Sequence, residues 1–166
     1  MIITLVRGDI TRQRVEAIVT AGNSSLRGGS GVNGAIHAAA GPRLLQASRA
    51  LAPCPTGSAV VTDAFRLAPV RWVIHAVGPR YGVPKDAELL KSAYRSALAC
   101  ADEVGAKSVA FPSISTGVYG YPGAFAAQLS VEAITAAVTD VESILLVAYN
   151  DDMVAMWERC LAAVYR

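Results

Sequence analysis

The chain has 166 residues, 53% hydrophobic and 17% charged, with a formal net charge of +2. A charged fraction below the roughly 25% usual for soluble proteins excludes disorder and predicts one domain over 1–166 built on a deeply buried sheet. The cations Arg12, Arg14, Arg27, Arg43, Arg49, Arg66 and Arg71 are scattered rather than striped, so nucleic acid is not an expected partner.

The first residues, 2–7, read as a strand rather than a signal peptide, and nothing approaches 18 uninterrupted apolar residues. No membrane partner is expected. Further along, β-branched runs predict strands over 17–20, 58–62, 72–77, 108–111 and 143–149, six in all. Helical patterns fall between them at 32–40, 43–51, 87–104, 123–139 and 153–164. Gly41 is placed to close one helix with Pro42 opening the next, and Pro122 suits a first helical position. Alternating strands and helices predict a layered α/β/α domain. The two strands between Gly57 and Val77 have no helix between them and predict an antiparallel pair. Cys54, Cys100 and Cys160 are odd in number and lack metal-ligand spacing, which predicts reduced thiols, a cytoplasmic location and no metal. A monomer without a cofactor is the simplest expectation.

The densest chemistry lies between Gly22 and His37, where Gly28, Gly29 and Gly31 join a strand to a helix. Bare backbone N–H groups at such a junction can close around an anion. The plain alternative is a flexible turn, and the spacing matches neither a Walker loop nor a dinucleotide fingerprint. Asn23 and Asn33 flank the glycines, where amides can orient a polyhydroxyl group. A second loop, Ser113 to Pro122, repeats the design: Ser115, Thr116, Gly117 and Val118 offer backbone and hydroxyl donors, and Tyr119 and Tyr121 can wall a sugar or base. Two such loops suit a ligand with two phosphates and sugars.

Asp9 follows the first strand and either caps a helical turn or accepts a hydrogen bond from an exocyclic amine such as adenine N6. Tyr149 can stack on a purine beside Asn150, with Asp151 or Asp152 capping the last helix. His37 and His75 have no carboxylate or cysteine nearby in sequence and read as buried, hydrogen-bonded structural histidines. Ser24, Ser25 and Ser113 lack a nucleophile elbow, so no covalent catalyst stands out.

Five segments in order resemble the macrodomain family, and within it the MacroD-type branch of ADP-ribosyl hydrolases. They are residues 8–11, 23–32, 34–41, 73–79 and 110–122. The resemblance implies a three-layer α/β/α sandwich on a mixed, roughly six-stranded sheet. It also implies ADP-ribose and mono-ADP-ribosylated proteins as partners. Asp9 and the Ile10 backbone would then hold adenine, with Tyr149 and Asn150 facing it. Gly29, Gly31, Val32 and residues 115–119 would wrap the diphosphate, and Asn23 would hold the distal ribose. Asn23, Asn33 and Tyr119 become the catalytic set. Two motifs depart from the branch: Thr20-Ala21-Gly22-Asn23 stands where it has Asn-Ala-Ala-Asn, and Asn33 replaces the Asp of Gly-Val-Asp-Gly. An amide cannot take up a proton near neutral pH. The implied activity is therefore a largely substrate-assisted hydrolysis. The alternatives are a non-catalytic ADP-ribose reader and a hydrolase of a small derivative such as O-acetyl-ADP-ribose.

Overall fold

The structure, a computed structural model, describes residues 1–165. Six strands form one sheet: β1 (Ile2–Arg7), β2 (Ala17–Gly22), β3 (Ala59–Asp63), β4 (Trp72–Val77), β5 (Ser108–Phe111) and β6 (Ser143–Ala148). Five helices join them: α1 (Gly31–Ala40), α2 (Pro42–Arg49), α3 (Asp86–Glu103), α4 (Gly123–Ala136) and α5 (Asp151–Val164). A single 3-10 turn spans Ile10–Arg12. The strand order is β1-β6-β5-β2-β4-β3, parallel throughout except for the antiparallel β3–β4 edge pair. The mixed sheet and the antiparallel pair agree with the sequence expectation.

Strand periodicity assigns the two faces. Val19, Ile74, Val109, Phe111, Ile144 and Leu146 point to one side, against Leu90 and Tyr94 of α3, Ala126 and Ile134 of α4, and Trp157 of α5. Ile18, Val73, Ala110 and Val147 point to the other, against Ile36 and Ala40 of α1 and Leu44 of α2. A fully buried side chain such as Ile18 or Ile36 contributes about 1.5–3 kcal/mol. Thr20, two residues beyond Ile18, shares its face and is completely buried opposite α1.

Helix ends depart from the expected boundaries for local reasons. Gly41, at φ +87°, ends α1, and Pro42 opens α2 as expected. Pro122 stands one position ahead of α4 rather than inside it. That helix stops at Ala136 instead of Thr139, whose hydroxyl donates to Asp102 Oδ1 at 2.8 Å. The last helix begins at Asp151, two residues early, because Asn150 caps it: its Oδ1 accepts the Met153 N–H at 2.9 Å. Asp151 and Asp152, expected to cap it, lie in the first turn, where their charge meets the helix dipole. Among the described residues no helix is long and apolar enough to cross a membrane.

Candidate functional site

Five parallel strands end on the same edge of the sheet, so the loops after β1, β6, β5, β2 and β4 stand side by side in that order. A cleft of about 680 Å³ runs along this edge. Open α/β sheets gather ligands here because strand ends leave backbone groups unpaired and helices begin nearby. The strand order also sets the order of the subsites.

At the β1–β6 end stand Asp9, Ile10 and Tyr149. Asp9 Oδ1 accepts from the Thr11 hydroxyl at 2.7 Å and the Thr11 N–H at 2.9 Å, capping the 3-10 turn. These bonds, hydroxyl first, hold its carboxyl below the usual carboxylate range, with the Arg12 guanidinium adding to them. Asp9 thus serves as a cap and also lines the cleft. Tyr149 is 76% exposed and lines the same end. Asn150, expected against the ligand, does not line the cleft, because its side chain is spent on the helix cap.

The middle of the cleft is walled by the two loops. On one side Gly29, Ser30, Gly31 and Val32 lead into the first turn of α1, whose N–H groups lack intrahelical partners. Gly31 sits at φ +61°, and a Cβ on Gly34 would strike the Gly29 carbonyl oxygen. Residues 112–119 form the other side. Ser115 adopts φ +70°, and its buried Oγ has no hydrogen-bond partner among the described residues. It fills the space a Cβ on Gly78 would need. The loop is pinned from inside by Tyr94 of α3, whose hydroxyl accepts the Ile114 N–H at 2.9 Å and donates to the Pro112 carbonyl at 3.3 Å. Complete burial pushes that phenol well above its ordinary range, so it remains a neutral donor. Nothing in the helical pattern around Tyr94 singles it out, and sequence reasoning passed over it.

At the β2 end the two amides meet one carbonyl. Asn23 Nδ2 donates to the Arg27 carbonyl at 3.4 Å, and Asn33 Nδ2 donates to the same oxygen at 3.2 Å. Asn23 Oδ1 accepts from Ser25 Oγ at 2.8 Å and from the Arg27 N–H at 3.1 Å. Asn33 Oδ1 accepts from the Thr20 hydroxyl at 2.9 Å, a bond buried between β2 and α1. Thr20 and Asn33, one from each motif that departs from the MacroD-type pattern, are therefore bonded to each other. Each amide retains one N–H for the cleft, while Tyr119 lines the facing wall.

The histidines lie behind this end. His75, on β4, is buried with Nε2 at 2.9 Å from the Thr62 hydroxyl. Burial lowers its pKa to about 4, and His37, whose ring centroid is 6.3 Å away, adds to the shift. His37 is only half-buried and its ring has no hydrogen bond among the described residues, unlike the buried, bonded histidine expected there. Burial alone lowers its pKa. Among the described residues no three His, Cys, Asp or Glu side chains are grouped to hold a metal.

Residues 19–130 match the family described as Macro domain, and the chain belongs to that family. A macro domain-containing protein of Chlorobaculum tepidum is 44% identical, covering 98% of this chain and 97% of its own. A protein of Citrobacter rodentium named O-acetyl-ADP-ribose deacetylase is 48% identical, over 96% of this chain and 94% of its own. Among solved structures, a glycine-to-valine variant of the Oceanobacillus iheyensis macrodomain with ADPR superposes with a TM-score of 0.92. It is 38% identical and covers 97% of this chain and 92% of that one.

Proposed function

We propose that the protein binds ADP-ribose along the cleft and hydrolyses it from mono-ADP-ribosylated proteins, with ester-linked Asp or Glu as acceptors, as a MacroD-type enzyme. The observation that carries the reading is the pair of facing loops: Gly29 to Val32 brings the unpaired N–H groups of the first turn of α1 to one wall of the cleft, and residues 115–119, pinned by Tyr94, form the other. Unpaired backbone N–H groups at a helix start are a ready site for an anion. A diphosphate supplies acceptors on both sides at once. Adenine then lies at Asp9, Ile10 and Tyr149, and the distal ribose at Asn23 and Asn33 beneath Tyr119. The similarity to a macrodomain with ADPR and to a named O-acetyl-ADP-ribose deacetylase supports this reading.

In the hydrolysis, a water oxygen bonds to the anomeric carbon of the distal ribose. The bond from that carbon to the acceptor oxygen breaks, its electron pair leaving with the carboxylate. The proton lost by water passes to a diphosphate oxygen and on to solvent, since Asn33 cannot take it. The free N–H groups of Asn23 and Asn33 hold the ribose hydroxyls and the water in line. Orientation of this kind is worth several kcal/mol, up to roughly 7–11 in well-aligned cases.

The name carried by the Citrobacter rodentium relative favours a second reading, hydrolysis of O-acetyl-ADP-ribose. Incubation with an ester-linked mono-ADP-ribosylated protein and, separately, with O-acetyl-ADP-ribose distinguishes the two by the products released. Tight ADP-ribose binding with no release from either substrate over hours would make the protein a reader. The same proposal takes 1–166 as a single monomeric domain acting in the cytoplasm without a cofactor.

A further inference from the structure

The cleft does not end at Asn23. A second recess of about 400 Å³ opens beyond it, and the two share Gly78 and Tyr119. Asn23 lines the first and its neighbour Ser24 the second, with Thr56 and Arg80 on the far walls. This is the β2–β4 end of the edge, next to the subsite given above to the distal ribose. On the ribose placement proposed above, a group attached to the anomeric carbon lies beside Tyr119, which this recess shares.

Its wall is built rather than incidental. The Tyr81 N–H donates to the Tyr119 carbonyl at 2.9 Å, tying the loop after β4 to the loop after β5. The Arg80 guanidinium lies over the Tyr119 ring, 5.3 Å from its centroid. Tyr81 packs edge-on against Tyr121, with centroids 5.1 Å apart. Asp86 accepts the Gly82 N–H at 2.8 Å and the Tyr121 hydroxyl at 3.2 Å, so its carboxylate is committed to the loop. Arg80 is exposed and forms no ion pair among the described residues. It is the single charged side chain lining the recess.

We infer that this recess is an acceptor subsite for an acidic polypeptide segment carrying the modified side chain, with Arg80 meeting a carboxylate next to the ester. The inference rests on the hydrolase reading above. An acetyl group would leave the recess nearly empty, whereas peptide residues fill it. One cation matches one or two carboxylates, and a nucleic-acid backbone would call for several. An arginine stacked on a ring and free of internal partners is pre-positioned for a planar carboxylate at little entropic cost.

The test uses three peptides bearing one ADP-ribosylated glutamate, identical except that the flanking residues are acidic, alanine or lysine. With the unaltered protein, KM for the acidic peptide is expected to be about two- to fivefold below that for the alanine peptide, the range of an exposed ion pair, and highest for the lysine peptide. Arg80→Gln should remove the difference and Arg80→Glu should reverse it. Each variant is read as a ratio between its own peptides, so a general loss of activity cancels. Equal KM values for the three peptides overturn the inference, as does a preference that survives Arg80→Gln. If ADP-ribose binds but no peptide is cleaved, the hydrolase reading fails, and the same ratios measured as equilibrium Kd decide the recess by themselves.

Discussion

The two ends of the cleft are built on opposite principles. At the β1–β6 end, Asp9 and Tyr149 stand in solvent, and Asp9 is held by bonds to a residue two positions away. At the β2 end, Asn33 is 6% exposed and its bonds reach back to Thr20 on another element. The first end can adjust to a ligand and holds it by single groups. The second is set before the ligand arrives, because moving Asn33 would break its bonds to Thr20 on β2 and to the Arg27 carbonyl that Asn23 shares. Catalysis by orientation needs the second kind of construction. Recognition of a planar base tolerates the first.

The largest expected effect tests how deeply the second end is buried. The unfolded chain protonates His75 near pH 6.5, whereas the folded chain holds it neutral down to about 4. Within that window the unfolded state binds more protons, so stability falls as pH drops from 6.5 to 4 and levels off below. The loss is about 3 kcal/mol from this residue, and His37, shifted in the same direction, adds to it. Urea unfolding at pH 7 and pH 4.5 measures it, and a His75→Gln variant with the same slope would refute the assignment.

Gly34→Ala comes next. Its Cβ would meet the Gly29 carbonyl, a backbone atom that yields only if the whole loop moves. Misplacing a reacting group by about 1 Å costs on the order of a hundredfold in rate. ADP-ribose release by this variant should fall by that factor, with affinity weakened as well; unchanged kinetics would mean that the first loop does not shape the site.

A smaller effect, about tenfold, probes the pair of departures. Thr20→Val keeps the shape but leaves Asn33 Oδ1 unsatisfied, a loss of about 1–3 kcal/mol. The expected outcome is a lower kcat with KM little changed, and recovery in Thr20→Ser; a KM effect alone would place Asn33 in binding only. Asn33→Asp should also slow release, because a carboxylate cannot donate to the Arg27 carbonyl that Asn33 now faces.

Asp9→Ala closes the series. Loss of one exposed charged acceptor should weaken ADP-ribose binding roughly tenfold, the low end for a hydrogen bond to a charged group, with kcat unaffected. Calorimetry gives the affinity and a melting curve gives the cap, worth about 0.5–2 kcal/mol. A drop in melting temperature with unchanged affinity would leave Asp9 a cap and nothing more.

Much of this was legible in the chain itself, because it depends on neighbours in sequence. Alternation and helical spacing located all six strands and five helices, and the runs 2–7, 72–77 and 108–111 matched to the residue. Glycines at a strand-to-helix junction marked both loops, since glycine takes positive φ at little cost, as Gly31 and Gly120 do. What the tertiary structure alone decided is which distant groups share a bond. Thr20 and Asn33 are two separate departures along the chain, and only the packing of α1 on β2 makes them one pair. Tyr94 looks like any buried helical aromatic until α3 brings its hydroxyl to Pro112 and Ile114. Arg80 is one scattered cation until Tyr119 comes beneath it. Local patterns fix elements because backbone geometry is local, while hydrogen bonds between elements depend on packing that no short stretch of sequence contains.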